Sequence, residues 1–340
     1  MIKIAIVILN WNGIRYLTKF LPSILSNSNH DGCCVYVADN GSSDDSLKWL
    51  HQYHPEIKII PHDRNYGFAL GYARALEQIE SEYFVLLNSD VEVTPHWLTP
   101  IIKIMDDDKS VAACMPKIKS YENKQLFEYA GAAGGFIDRF GYPFCRGRIL
   151  NSIEKDEGQY DDMREIFWAS GACMFLRASA YFEAGGLDAD FFAHMEEIDL
   201  CWRLKRLGYK VIYSPEVTIY HVGGGTLPNN TPRKIFFNYR NNLFLLFKNL
   251  PSDRFLITLF TRILLDCFSS LIYIVQFKIP FFWSVLKAHF AFYGGLGKLL
   301  AKRKKFTRME KVSHPGEIFP GGILISFFIK KQRHFNQLDF

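Results

Sequence analysis

The chain has 340 residues, 49% of them hydrophobic, and a formal net charge of +5. That length and apolar content allow a large buried core and exclude an intrinsically disordered chain. The positive charge crowds the end, from Lys298 through Arg308 and again at Lys330, Lys331 and Arg333, which argues against a nucleic-acid binder with its basic patch on the main domain.

Lys3 is followed by IAIVIL, which reaches Asn10 too soon for a secretory apolar region and is too short to span a bilayer. It reads as a buried first strand over residues 2–9. Asn10-Trp-Asn-Gly13 turns the chain, and Leu17, Leu21, Ile24 and Leu25 mark one face of a helix over 16–26. Strand two covers 33–38 and ends at Asp39. Ser42 or Ser43 caps a helix running to Tyr53. A short strand over 57–60, a loop at Asp63–Gly67, a helix over 68–79 and a buried strand over 83–87 follow. A helix from Thr94 or Pro95 stops before Asp106, and Val111–Met115 is the next strand. This alternation argues for a mostly parallel α/β sheet with helices on both faces. Strand ends on such a sheet are where ligand-binding groups collect.

Residues 116–166 lack clear periodicity. Beyond them come a strand over 166–176 interrupted at Ser170-Gly171, a helix over 200–207, and short strands at 210–213 and 217–220. After residue 232 the composition changes to long apolar helical runs over 233–249, 255–277 and 279–296, with another apolar run at 321–329. Arg262 and Asp266 are spaced to pair on one helix face. Two domains are expected: 1–232, and a helical, apolar and basic region at 233–340. Three readings of that second region compete: amphipathic helices lying on an anionic membrane surface, a hydrophobic subdomain packed on the core or on a second copy in a homodimer, and, least favoured, membrane-spanning helices. The seven cysteines form neither a disulfide framework nor a zinc pattern and read as reduced core residues of a cytosolic protein.

Two acidic strand ends carry the chemistry. Asp39 precedes Asn40-Gly41, where it either holds a nucleotide or caps the turn. Asp90 and Glu92 are two apart, so an extended backbone turns both to one side, as a Mg²⁺ site with diphosphate oxygens would use. His194, Glu196, Glu197 and Asp199 crowd one short segment after Phe191-Phe192, and like charges that close raise at least one pKa. An inverting group transfer needs one such base. Trp168 either stacks on a sugar or is core. Arg64, Arg146, Arg148 and Arg240 are candidate phosphate contacts or ordinary ion-pair partners.

The segments AIVILNWNG (5–13), VADNGSSDDS (37–46), RNYGFALGYARAL (64–76), LLNSDVEV (86–93), FWASGACMFLRASA (167–180) and FFAHMEEIDLCWRLKRLGYKV (191–211) resemble, in order, the signature series of family 2 glycosyltransferases. The nearest group is the bacterial rhamnosyltransferase-like one, and the resemblance covers roughly 5–245. It implies a GT-A fold and an inverting transfer from a dTDP- or UDP-sugar to a saccharide acceptor, lipid-linked, in cell-surface glycan synthesis. It also implies a divalent cation, Mg²⁺ or Mn²⁺. On this resemblance Asp39 holds the pyrimidine or ribose, with Asn10, Asn12, Arg64, Gly67 and Asn88 around the nucleotide. Asp90 is the metal carboxylate of a degenerate DxD motif reading Asn88-Ser89-Asp90, and His221, before Gly223-Gly-Gly225, is a second ligand. The family's Glu-Asp pair matches Glu196-Glu197, making Glu197 the base and Glu196 its rival. Trp168, Gly171, Asp199, Arg146, Arg148 and Arg240 fall to the acceptor or sugar pocket. The expected location is the cytosolic face of a bacterial inner membrane. A nucleotidyltransferase and a non-catalytic carbohydrate binder are the alternatives. A dinucleotide enzyme is excluded because the first turn lacks GxGxxG.

Overall fold

The computed structural model describes residues 2–223 and 231–340. Its first half alternates β1 (Ile2–Asn10), α1 (Ile14–Asn27), β2 (Cys33–Asp39), α2 (Ser46–Tyr53), β3 (Lys58–Pro61), α3 (Gly67–Leu76) and β4 (Ser81–Asn88). β1 pairs in parallel with both β2 and β4, and β2 with β3. Ile4–Ile8 and Tyr83–Leu87 are buried without a break. Continuous apolar runs are what a sheet covered on both faces requires.

The next elements are β5 (Val91–Val93), α4 (Thr99–Asp107), β6 (Val111–Ser120), β7 (Gly135–Asp138), β8 (Pro143–Cys145), β9 (Arg148–Ile149), β10 (Ser152–Ile153) and β11 (Arg164–Glu165). Then follow β12 (Cys173–Arg177), α5 (Ala178–Glu183), α6 (Glu196–Arg206) and β13 (Lys210–His221). The main sheet has the order β11-β13-β6-β12-β4-β1-β2-β3, with β5 on the end of β13. β12 runs antiparallel between β4 and β6. The fold is of the GT-A type, a mixed sheet flanked by helices and extended by helices at the carboxyl end.

Several boundaries differ from expectation. Strand 166–176 begins only at Cys173. The strands expected at 210–213 and 217–220 are one strand whose register slips between Ser214 and Thr218. The aperiodic stretch 116–166 hides strands of two to four residues, too short for alternation to be read. All but β11, which pairs with β13 in the main sheet, join β14 (Ile318–Phe319) in a second sheet, β10-β9-β8-β7-β14. The helix expected at Leu200 starts at Glu196, so Glu196, Glu197 and Asp199 form its first turn and not a preceding loop.

The carboxyl-terminal region holds α7 (Pro232–Asn249), α8 (Phe255–Val275), α9 (Ile279–Gly294) and α10 (Leu296–Met309). The break between the last two falls at Gly294-Gly295. α7 packs against α6 through fully buried charge: Lys248 Nζ lies 2.8 Å from Asp199 and also contacts Asp188. Arg203 and the Asn249 amide complete the shell of Asp199 at 2.9 and 2.8 Å. α8 turns Arg262 and Asp266 inward as a 2.8 Å pair, with the guanidinium 3.9 Å above the Tyr142 ring. Outward it shows Leu256, Ile257, Phe260, Leu264, Phe268 and Leu271, all exposed. α8 is long and apolar enough to cross a membrane by length and composition, and 22% of its most apolar window is buried. Cys114, Cys145, Cys173 and Cys201 are core residues, but Cys267 is exposed on α8 and is not.

Removing one partner of a buried ion pair leaves the other charge uncompensated, at a cost of about 3–5 kcal/mol. Lys248→Met is therefore expected to lower the free energy of unfolding by about 3–5 kcal/mol in urea titration.

Candidate active site

A cavity of about 530 Å³ opens at the carboxyl ends of β1 and β4. One wall is built by strand pairing. β5 lies antiparallel to the end of β13, with Val91 opposite His221. This brings Asp90 Oδ1 to 3.1 Å from His221 Nε2. The Asn88 amide is 3.3 Å from the same nitrogen, and Glu128 is 3.5 Å from Nδ1. Asp90, Asn88, His221 and Glu128 all line the cavity. Burial pushes the Asp90 carboxyl up, but the hydrogen bond and charge of His221 outweigh it and hold it below the usual range. Burial opposes charge on His221, yet the Glu128 and Asp90 carboxylates raise it to about 10. Glu92 does not share this wall. It pairs with Lys124 at the surface, because β5 begins after Asp90 and the residue-two spacing therefore spans a turn.

The facing wall is the first turn of α6. Glu196 and Glu197 both line the cavity, and the Oε2 atom of each is buried without a hydrogen-bond partner. Burial, then the charge of Glu197, pushes the Glu196 carboxyl well above the carboxylate range. Burial lifts Glu197 to about 7. His194, on the same wall, is lowered to about 4 by burial and by Lys234. Unlike Asp90, these two carboxylates make no ion pair among the described residues.

The turn after β1 and the start of α3 form the third side. Asn12, Gly67 and Gly171 line the cavity. The Asn12 side chain accepts from the Ser43 amide at 2.7 Å. Gly67 has φ +75°, and a Cβ there would sit 2.5 Å from the Phe192 carbonyl oxygen, so only glycine fits. Asn10 and Asp39 are buried and absent from the cavity lining. They pair at 3.0 Å, and the second Asp39 oxygen accepts the Ser42 amide at 2.9 Å. Arg64 is exposed over the Tyr66 ring and also outside the lining.

Several expected pocket residues lie elsewhere. Trp168 is buried against Gly135, and its Nε1 donates to the Phe136 carbonyl at 3.0 Å, so it is core. Arg146 is buried between the Tyr160 and Tyr213 rings and pairs with Asp162. Arg148 donates to the Tyr129 carbonyl at 2.9 Å, and Asp199 is locked in the α6–α7 network. Arg240 donates to backbone carbonyls of 190 and 191. Arg146 and Asp199 have their charge matched inside the protein, and Arg148 and Arg240 are held by backbone carbonyls, which sequence spacing could not reveal. Gly224 and Gly225 lie outside the described residues. The sequence reading passes over Trp11 and Glu128. Trp11 is 41% exposed on the cavity rim, and a tryptophan in a turn straight after a buried strand is the signal that would have found it. Glu128 sits in the aperiodic stretch and gives no such signal.

Among the described residues no group of three or more His, Cys, Asp or Glu side chains is arranged to hold a metal ion. Asp90 offers a carboxylate oxygen at the cavity wall, and His221 would offer an imidazole nitrogen only on giving up its proton to a bound cation, a partial donor set.

The chain is 25% identical over 236 residues to the N-acetylglucosaminyl-diphospho-decaprenol L-rhamnosyltransferase of Mycobacterium tuberculosis, covering 64% of this chain and 75% of that one. It is 24% identical over 224 residues to the rhamnosyltransferase WbbL of Escherichia coli K12, covering 64% and 83%. Among solved structures it resembles GalNAc-T7 with UDP, GalNAc and Mn²⁺, at TM-score 0.58 and 13% identity, over 74% of this chain and 48% of that one. It also resembles the mannosyltransferase PcManGT of Pyrobaculum calidifontis with GDP-Man and Mn²⁺, at TM-score 0.52 and 14% identity, over 90% and 83%. At those identities the likeness is one of fold. Residues 5–182 match the profile described as glycosyl transferase family 2. With more than half its length in that match and with acidic walls facing each other across the strand-end cavity, the chain belongs to glycosyl transferase family 2, whose members transfer a sugar from a nucleotide donor to an acceptor.

Proposed function

We propose that the protein is an inverting hexosyltransferase that moves a sugar, rhamnose favoured, from a dTDP- or UDP-sugar to a lipid-linked saccharide at a membrane surface. One observation carries this reading: the Asp90–His221 pair and the Glu196–Glu197 pair line the same cavity. Family membership counts against the nucleotidyltransferase alternative. The names of the two rhamnosyltransferase relatives support the sugar, and the first of those names supports the lipid diphosphate acceptor.

The chemistry divides between the two walls. The acceptor hydroxyl oxygen attacks the donor anomeric carbon, the bond from that carbon to the diphosphate oxygen breaks, and the configuration inverts. The hydroxyl proton goes to Glu197, and the nucleoside diphosphate leaves. Glu197 suits that role because a base titrating near 7 is ionised at working pH yet accepts a proton readily. Burial and the charge of Glu197 push the Glu196 carboxyl well above the carboxylate range, which favours its neutral form and so spares Glu197 a like charge. On the other wall, Asp90 and His221 would hold Mg²⁺ or Mn²⁺, with donor diphosphate oxygens filling the rest of its shell. Bound there, the cation would neutralise charge on the departing diphosphate. Asn12, Gly67 and Trp11 line the cavity and are assigned to the nucleoside, with Asp39 and Asn10 buried behind them and Asn88 beside Asp90.

The outward apolar face of α8 and the lysines and arginines of α10 support docking on an anionic bilayer. An acceptor with a lipid anchor would then meet the cleft from the membrane side. The protein would work on the cytosolic face, where nucleotide sugars are made.

Four outcomes test this reading. In a panel of dTDP- and UDP-sugars, release of nucleoside diphosphate is expected to need Mn²⁺ or Mg²⁺ and to fall at least about 100-fold in Asp90→Ala. Full activity after chelation would remove the metal assignment. Glu197→Gln is expected to bind donor with unchanged Kd, by calorimetry, while kcat drops about 10²–10⁴-fold. In the wild type, kcat should fall on the acid side of about pH 7, because Glu197 is then protonated; a rate flat from pH 5 to 8 argues for another base. Finally, co-sedimentation with vesicles containing phosphatidylglycerol should be lost in Phe260→Asp/Phe268→Asp, with transfer to a short soluble acceptor retained. Equal sedimentation of both proteins would count against docking through α8.

A further inference from the structure

Asn241 sits in the middle of α7 and is completely buried. Asparagine is a poor helix-interior residue because its amide competes for backbone hydrogen bonds. Here the amide reaches out of the helix altogether. Its Nδ2 donates to the carbonyls of Phe191, Ala193 and His194 at 2.9, 2.8 and 2.7 Å. Two hydrogens serve three acceptors, so one is shared. Its Oδ1 accepts from Arg240 Nε at 2.9 Å. A guanidinium only donates, so this contact fixes which end of the amide faces the loop. Arg240 Nη2 also donates to the Asp190 and Phe191 carbonyls, both at 2.9 Å. Neither Arg240 nor Asn241 lines the cavity.

The segment held this way leads directly into Glu196 and Glu197, and it is strained. Phe192, His194 and Met195 have φ of +64°, +72° and +73°. Left-handed conformations of non-glycine residues are unfavourable and persist only where the surroundings impose them. From the opposite side, the first amides of α3, Phe68 and Ala69, donate to the Phe192 carbonyl at 2.7 and 3.1 Å. The loop is therefore gripped between α3 and α7 through its own carbonyls. Released from α7, three left-handed residues would relax, and the first turn of α6 would lose its fixed starting point.

We propose that Asn241, assisted by Arg240, is a positioning residue of the transfer reaction: it imposes the left-handed path of residues 191–195 that presents Glu197 to the cleft. The proposal rests on the reading of Glu197 as base. It reassigns Arg240 from phosphate contact to loop clamp.

A general packing role and a positioning role separate on the neighbouring residue. Asn242 is equally buried on the same helix, but its Nδ2 donates to the Gly141 carbonyl at 2.6 Å, away from the loop. The pH profile adds a second separation, since Glu197 is raised by burial and a relaxed loop would admit water. Its ionisable surroundings are Glu196 and Asp199 on α6, Cys201 one turn on, and Asp90, Glu128, His194, His221, Arg233 and Lys234 around the cavity.

The full chain is assayed with Mn²⁺ for nucleoside diphosphate release, on the dTDP- or UDP-sugar it turns over fastest, in wild type, Asn241→Leu, Arg240→Met and Asn242→Leu. Asn241→Leu is expected to lose about 10–100-fold in kcat with donor KM within about twofold. Its acid limb should move down, and amide hydrogen exchange over 190–197 should quicken. Arg240→Met should move the same way by less. Asn242→Leu should lose thermal stability but keep kcat and acid limb. Equal kcat losses in Asn241→Leu and Asn242→Leu, or an unmoved acid limb in folded Asn241→Leu, would overturn the proposal. If Asn241→Leu does not fold, Arg240→Met decides, and wild-type kcat and exchange in it would overturn the proposal. A wild type inactive on every donor would defeat the transferase reading instead, while the exchange comparison would still read the clamp.

Discussion

The fully buried carboxylate of Asp199 is the point on which the two halves of the molecule meet. It belongs to the first turn of α6, yet three of its partners come from elsewhere on that helix or from α7: Arg203, Lys248 and Asn249. A charge at zero exposure is tolerable only with its lone pairs satisfied and its charge matched. That requirement fixes α6 against α7 and sets where α6 begins. The turn that carries Glu196 and Glu197 is thus positioned by a carboxylate two residues further on. Lys302 of α10 extends the same network to Asp188 and Asp190, which precede the strained loop. The carboxyl-terminal helices are in this sense part of the active-site scaffold.

Across the cleft, identical functional groups are driven in opposite directions. Asp90 has a histidine within hydrogen-bond distance and stays ionised. Among the described residues Glu196 and Glu197 make no ion pair, and they have two buried unpaired oxygens and each other. Separating carboxylates by environment in this way is what the proposed division into a charge-binding wall and a proton-accepting wall would need. The division arises because β5 delivers Asp90 to His221, whereas the left-handed loop delivers the glutamates to a dry surface.

The helical layer follows a related logic. α8 has two charged residues, Arg262 and Asp266, one turn apart on its inward side, and they pair with each other against the Tyr142 ring. What remains outward is almost wholly apolar. A surface of that kind on one helix, beside the lysine-rich α10, is suited to the boundary between water and hydrocarbon.

Much was legible in the linear sequence. The alternation of apolar runs and turns determined the parallel β1–β4 core, since strands buried on both faces have to be continuously apolar. The ordered motifs determined the family, and the carboxylates at 90, 196 and 197 were visible as candidates. Tertiary structure alone decided which charges face the cavity. Arg146, Arg148, Arg240 and Asp199 looked like ligand contacts because a sequence shows a charge but not its counter-charge. Each proved to be neutralised or hydrogen-bonded by residues far away in the chain. Trp168 became core because Gly135 leaves room for its ring, a contact across 33 positions that no local pattern encodes. The small sheet stayed hidden because two-residue strands carry no period. Local chemistry, then, set the elements and the inventory of reactive groups, while long-range packing, through burial and charge matching, selected which of those groups are free to act.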